Sequence, residues 1–257
     1  MQSNRPRSMR VIRAVVGLVL SGAVLAACGG GGKKTVSAAA TTTSGPATTT
    51  TVAPTTTTTV DVTADAAKAK QINLQASDLP AGWASTPATP KTAADKADAA
   101  QVNTCLGLPA PDEVETANVD SDSFNDGGSQ VASSVTFTRS ADLARRELAA
   151  YTSAKATGCL QQSLNAVFAR EAQGATVTNV TLTPKPAPTG GDGGFAYHFT
   201  ATITAQSQQV QLTADILAVL VGRAEVQLTS FTAGGQPTPD QLQQSLLAKM
   251  VARAKTA

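Results

Sequence analysis

Few residues in this chain could do chemistry. Its 257 residues include a single histidine, His198, and three cysteines, Cys28, Cys105 and Cys159. A Ser-His-Asp nucleophile would have to use His198, yet no G-x-S-x-G elbow is present and no serine lies on an evident strand-to-helix turn. His198 therefore reads as a solvent-facing strand residue. The stretch Asp120-Ser121-Asp122-Ser123-Phe124-Asn125-Asp126-Gly127 resembles a calcium loop, but Phe124 stands where an oxygen ligand is needed and the closing glutamate is missing. A polar loop is expected there instead. Gly190-Gly191-Asp192-Gly193-Gly194 is not followed by the Lys-Ser/Thr of a phosphate-binding loop and runs into a strand pattern, so it reads as a mobile hairpin tip. No catalytic or cofactor-binding residue is expected, and the reading is of a protein that is not an enzyme.

Charge is unevenly placed. Arg5, Arg7, Arg10 and Arg13 precede an apolar run over residues 14–27, whereas from Asp65 onward 14 Lys+Arg face 17 Asp+Glu, a net of −3. The overall +2 thus belongs to the N-terminus, and nucleic acid is argued against as a partner. The apolar run falls short of the roughly 20 residues of a spanning helix and has the length and flanks of a secretory signal. It ends in Leu25-Ala26-Ala27-Cys28-Gly29, which resembles the lipobox of bacterial lipoproteins. That resemblance implies cleavage before Cys28 and lipidation of its thiol. A plain signal peptide with an incidental cysteine is the alternative. Two or three acyl chains, at about 0.8 kcal/mol per buried methylene, would anchor the chain stably to the membrane on its extracytoplasmic face.

The expected organisation is a signal peptide over 1–27, a lipidated Cys28 with a Thr/Pro/Gly-rich linker through 64, and one extracytoplasmic domain over 65–257. The linker has four glycines at 29–32, runs of threonine, and almost no large apolar side chain, so it cannot offset its ordering entropy and reads as a disordered tether. With Cys28 assigned to lipid, Cys105 and Cys159 remain as an even pair in an exported chain, which predicts a disulfide. That bridge and a lone histidine leave no zinc ligand set, and no metal site is expected.

The domain's elements follow from hydrophobic period. Residues 92–102 predict a helix; 131–138 alternate as a half-buried strand; Ser140 opens a helix carrying Leu143, Leu148 and Tyr151. On that helix Arg145 and Arg146 share a face with Asp142 and Glu147, which reads as ordinary solvated surface. Leu160, Leu164, Val167 and Phe168 form the stripe of a further helix. Four strands are predicted at 177–183, 195–205, 210–221 and 224–232, and their short connections favour an antiparallel meander. Thr238, Pro239 and Gln241 predict a capping box for a last helix striped by Leu242, Leu246, Leu247 and Met250. The class is α+β: an antiparallel sheet of about five strands with helices packed on one face. Trp83 and Tyr151 read as core anchors rather than ligand platforms.

Several of these residues carry a family resemblance. They are Asp78-Leu79-Pro80-Ala81-Gly82-Trp83 near the domain start, the 131–138 strand leading into the Ser140 helix, Cys159 after it, and the run of strands before a final helix. This pattern is similar to actinobacterial lipoproteins whose domain resembles the extracellular sensor domain of PknH-type Ser/Thr kinases. The resemblance implies an α+β sheet with a cleft for an extracellular ligand and no known reaction. Those domains usually hold two disulfides, whereas only Cys105 and Cys159 are available here, and no binding residue is carried over. The expected function is a membrane-anchored, non-enzymatic ligand-binding or sensor-like module of the cell envelope. A lipid or glycolipid carrier and a structural or partner-interaction protein of the cell wall are the alternatives.

Overall fold

The computed structural model describes residues 60–172 and 174–257. The expected signal segment over 1–27, Cys28 and the expected linker through residue 59 lie outside the described residues. The first helix, α1 (Val62–Ile72), begins ahead of Asp65 because the Asp61 carboxylate caps it, accepting from the Thr63 and Ala64 amides at 2.9 and 3.1 Å. A 3₁₀ turn (Ala76–Asp78) and β1 (Ala84–Thr86) follow, then α2 (Ala93–Leu106) and the short α3 (Pro111–Val114). Next come β2 (Glu115–Asp120), β3 (Ser123–Asn125), β4 (Ser129–Thr138), α4 (Ala141–Tyr151) and α5 (Ala156–Glu171). The chain closes with β5 (Thr176–Lys185), β6 (Gly193–Ala205), β7 (Gln208–Val221), β8 (Ala224–Ala233) and α6 (Asp240–Ala254). Among the described residues no helix is long and apolar enough to cross a membrane.

The α+β class and the antiparallel meander of β5 to β8 are as the sequence predicts, but the sheet has eight strands rather than about five. Its order is β1, β3, β4, β8, β7, β6, β5, with β2 also on β4. β2 and β3 share one edge of β4: Val119 pairs with Val135, and Phe124 with Val131. The extra strands are too short or too polar to show a period. The segment expected as a polar loop contains β3, and Phe124 is a core residue, 3% exposed.

Helices cover both faces, not one. β7 explains why: Leu212, Ala214 and Ile216 point to one side while Leu217, Val219 and Val221 point to the other, so an apolar surface forms on each. α1 and α6 cover the first face, where Leu246, Leu247 and Met250 meet Val131, Val135, Val226 and Leu228. α5 covers the second, where Phe168 stacks on Phe199 at 5.5 Å.

Polar contacts hold α1 and α6 to the sheet. Asp65 is 2% exposed and receives the Arg223 guanidinium through two bonds, at 2.7 and 3.0 Å, together with the Thr116 hydroxyl. Burial opposes ionisation there, but Arg223 and Thr116 hold the carboxyl below its usual range. At the other end Arg253 of α6 donates to Asp78 and to the Ile72 and Asn73 carbonyls. The Asp78-to-Trp83 segment therefore anchors the last helix, and Trp83 packs on the first core as expected.

Ser133 of β4 completes this corner. Its hydroxyl donates to Asn73 Oδ1 at 2.6 Å and accepts from the Leu74 amide at 2.9 Å, with both side chains buried. Ser133→Ala leaves a buried acceptor and a buried donor unpaired and is expected to cost about 2 kcal/mol, read as a lowered urea midpoint at unchanged slope.

Two local expectations are corrected. α6 has no capping box: its N-cap is Pro239 and makes no side-chain bond, while the buried Thr238 hydroxyl has no partner among the described residues. Gln243 of the first turn instead ties the entry segment down by donating to the Thr238 carbonyl at 2.8 Å, which caps no helix amide. The glycine cluster is no loose tip either. A Cβ on Gly191 would sit 2.2 Å from the Leu220 carbonyl oxygen and one on Gly194 2.4 Å from that of Ala218, so these glycines permit close packing on β7.

Candidate functional site

Between the second sheet face and helices α2, α4 and α5 lies a cavity of about 180 Å³. Its apolar wall comes from Val102 of α2, Leu160, Leu164 and Val167 of α5, Leu182 of β5 and Phe195 of β6. Tyr151 of α4 stacks on Phe195 at 5.0 Å, and the Tyr197 hydroxyl donates to the Tyr151 carbonyl at 2.6 Å. Those contacts fix the aromatic groups of the lining.

Strand register builds the opposite wall. Thr136 of β4 stands between Asn118 of β2 and Glu225 of β8, and Ser134 stands between Asp120 and Gln227. Glu115 and Glu147 join Glu225 in the lining. Asn118 donates to Thr136 Oγ1 at 2.8 Å and to Glu115 Oε2 at 3.4 Å. Lys91 is bound to Asn118 and forms an ion pair with Asp120 at 3.2 Å.

The three glutamates share an environment that resists charge. Burial, reinforced by the neighbouring Glu147 and Glu225, pushes Glu115 up to about 9, against the pull of Asn118 and Lys91. Burial pushes Glu147 up to about 7, and burial together with Glu147 pushes Glu225 up to about 7. Burial and the same carboxylates also raise the Tyr151 phenol. Shifted acids grouped in one cavity mark it as the candidate site.

α2 forms the third wall and is fastened to α5 twice. Cys105 and Cys159 are joined, with Cα atoms 5.7 Å apart, and Arg170 of α5 makes a two-bond contact to Asp98 of α2 at 3.0 and 2.6 Å. In the first turn of α2, ahead of both ties, Asp95 lines the cavity. Its Oδ2 accepts from the Thr92 amide and hydroxyl at 2.7 and 2.8 Å, completing the cap of α2. Its Oδ1 is buried and has no hydrogen-bond partner among the described residues.

The residues weighed from sequence fare differently. Cys28 lies outside the described residues. Tyr151 is both core anchor and cavity lining. Glu147, expected on solvated surface, instead faces the cavity, half-buried, because α4 docks with that side toward β6. Its place two turns after Ser140 on the stripe of Ala144 and Tyr151 was a readable signal. Glu225 follows from the alternation of β8 once both faces are known to be covered. Glu115 carried no signal, since it sits beside an irregularity in the β2 register.

His198 lies on the other face, where it is partly open to solvent as expected but is also held by a carboxylate. Its Nδ1 is 2.8 Å from Asp215 Oδ1, and its side chain is 35% exposed. Across the strands the row runs Thr183, His198, Asp215, Ser230. The carboxylate stands between histidine and serine, whereas nucleophile activation needs the histidine in the middle. Asp215 is instead a structural hub: burial opposes its ionisation, but Gln243, His198 and Lys185 hold it below its usual range. Among the described residues no group of three or more His, Cys, Asp or Glu is placed to hold a metal ion.

Fold and site together define an antiparallel α+β domain with a helix-covered, acid-lined cavity. No protein-family model matches the chain, and no curated protein matches it. Among solved structures it is similar to the extracellular domain of PknH from Mycobacterium tuberculosis, at 15% identity over 75% of this chain and 97% of that one, with a TM-score of 0.36. The resemblance expected from the sequence thus recurs in the comparison of structures, and the candidate site rests on its own geometry.

Proposed function

We propose that this chain is an extracytoplasmic, sensor-like module that binds a small ligand in the cavity under α2, α4 and α5. In this reading lipid on Cys28 and the Thr-rich linker hold the domain at the outer face of the membrane. The observation that carries it is the lining: an apolar wall and an ionisable wall meeting across about 180 Å³. Cavities near 150 Å³ accept a single aromatic ring, and drug-sized ligands need roughly 300–1,000 Å³. The size therefore favours a small molecule over the long acyl chain of a lipid carrier.

Filling the cavity tests this. Leu164→Trp places an indole in the free space and is expected to abolish the chemical-shift changes that benzyl alcohol, a ring-sized probe, causes in the cavity residues of the purified chain. Retention of those changes in a folded Leu164→Trp variant would refute the site.

A further inference from the structure

Among the described residues, every charged side chain lining the cavity is an acid: Asp95, Asp98, Glu115, Glu147 and Glu225. Two cations on adjoining segments are already engaged, Lys91 with Asp120 and Asn118, and Arg170 with Asp98 and Glu171. Asp98 is thereby neutralised. Among the described residues no cation pulls on Glu147 or Glu225, while the Lys91 ammonium draws on Glu115. An anionic ligand would meet repulsion from the acids with no countercharge in the lining.

Asp95 supplies an independent pointer. It is 8% exposed, it lines the same cavity, and its Oδ1 makes no hydrogen bond among the described residues. A buried carboxylate oxygen without a donor is costly, and an N–H entering the cavity would satisfy it. The rest of the wall offers acceptors as well, in Ser134, Thr136, Ser163 and Gln227. The opposite wall, with Val102, Leu164, Val167, Leu182 and Phe195, requires an apolar body.

Resting on the binding reading above, we propose that the ligand is a small organic ammonium: a ring-sized or short aliphatic body against α5 and β6, with its charged nitrogen toward the acidic wall of Asp95, Glu115, Glu147 and Glu225. Burial holds these acids back from ionising, and a bound ammonium supplies the opposite charge that favours their anionic form. Tyr151, whose phenol stays neutral, closes the aromatic side, where its ring and that of Phe195 can face a cation.

Three probes sharing one ring separate the charges: benzylammonium, benzyl alcohol and benzoate, titrated into the purified full-length chain by ligand-observed NMR at pH 7.5. Benzylammonium is expected to bind at least tenfold more tightly than benzyl alcohol, with benzoate weakest. In a Glu147→Gln/Glu225→Gln variant that preference is expected to fall at least tenfold, with folding verified by its thermal midpoint. Equal binding of benzylammonium and benzyl alcohol, or a preference untouched in the variant, would overturn the ammonium assignment while leaving the cavity as a binding site. Absence of binding by all three probes would overturn both readings.

Discussion

Replacing Glu115 with Gln is expected to stabilise the domain by about 2–3 kcal/mol at pH 7 and to have almost no effect at pH 4. Burial and the nearby Glu147 push the Glu115 carboxyl up to about 9, from the 4.5 of an ordinary glutamate. Between those values the folded chain keeps the proton and the unfolded chain releases it. Stability is therefore fully present below about 4.5 and falls as pH rises through the window. An amide has no proton to release, so the variant loses that slope, and its residual bond to Asn118 and partial exposure keep the gain below the full linkage value. Urea unfolding at half-unit steps from pH 4 to 9 reads both curves. A wild-type slope unchanged in the variant would show that Glu115 is not held neutral.

Glu147 and Glu225 contribute the same sign over a narrower window, up to about 7. Asp65, Asp78 and Asp215 act oppositely: each is held below its usual range, so each stabilises above about pH 4, and that contribution is lost as acid protonates it. The cavity acids thus lower stability at neutral pH in a protein that could have used apolar side chains. Destabilising groups gathered at one site are the pattern expected where a site serves binding rather than stability.

The second large effect concerns the bridge. Cys105→Ser/Cys159→Ser is expected to cost about 4 kcal/mol, because the closed loop spans a sequence separation of 54 and its opening frees the unfolded chain. The loss has a local signature. α2 is tied to α5 by the bridge near its C-terminal end and by Asp98–Arg170 nearer its start, so removing the bridge releases one end of the wall that carries Val102 and Asn103. Amide exchange is expected to rise in α2 well before β6, β7 and β8. Uniform acceleration across all elements would mean that the bridge acts on global stability alone.

Much of the fold was legible because it is written in short periods. β6 alternates Phe195, Tyr197, Phe199, Ala201 and Ile203 against His198, Thr200, Thr202 and Thr204, and the structure places these sets on opposite faces. Ser140 caps α4 by accepting from the Leu143 amide, a local bond between residues three apart. The unbroken apolar run near the end of β7 also carried the news that both faces are covered, though its length alone does not separate a doubly buried strand from a buried helix. α1 gave no such signal: it is held by Asp65, which reaches Arg223 far along the chain, and by Arg253 on the carbonyls after it.

The candidate site was less legible for a reason of the same kind. Residue type and local spacing determined the α+β class, the meander of the last four strands, the pairing of Cys105 with Cys159 and the poverty of catalytic groups. Only the tertiary structure decided that His198 meets Asp215, that helices cover both faces, and that Glu115, Glu147 and Glu225 share one cavity. Those three lie on β2, α4 and β8, and what brings them together is the pairing of β4 between β2 and β8 and the docking of α4. A carboxylate's own neighbours in sequence do not tell it how dry its surroundings will be; register and packing do, and they set whether it is a solvated surface charge or a neutral acid waiting for a cation.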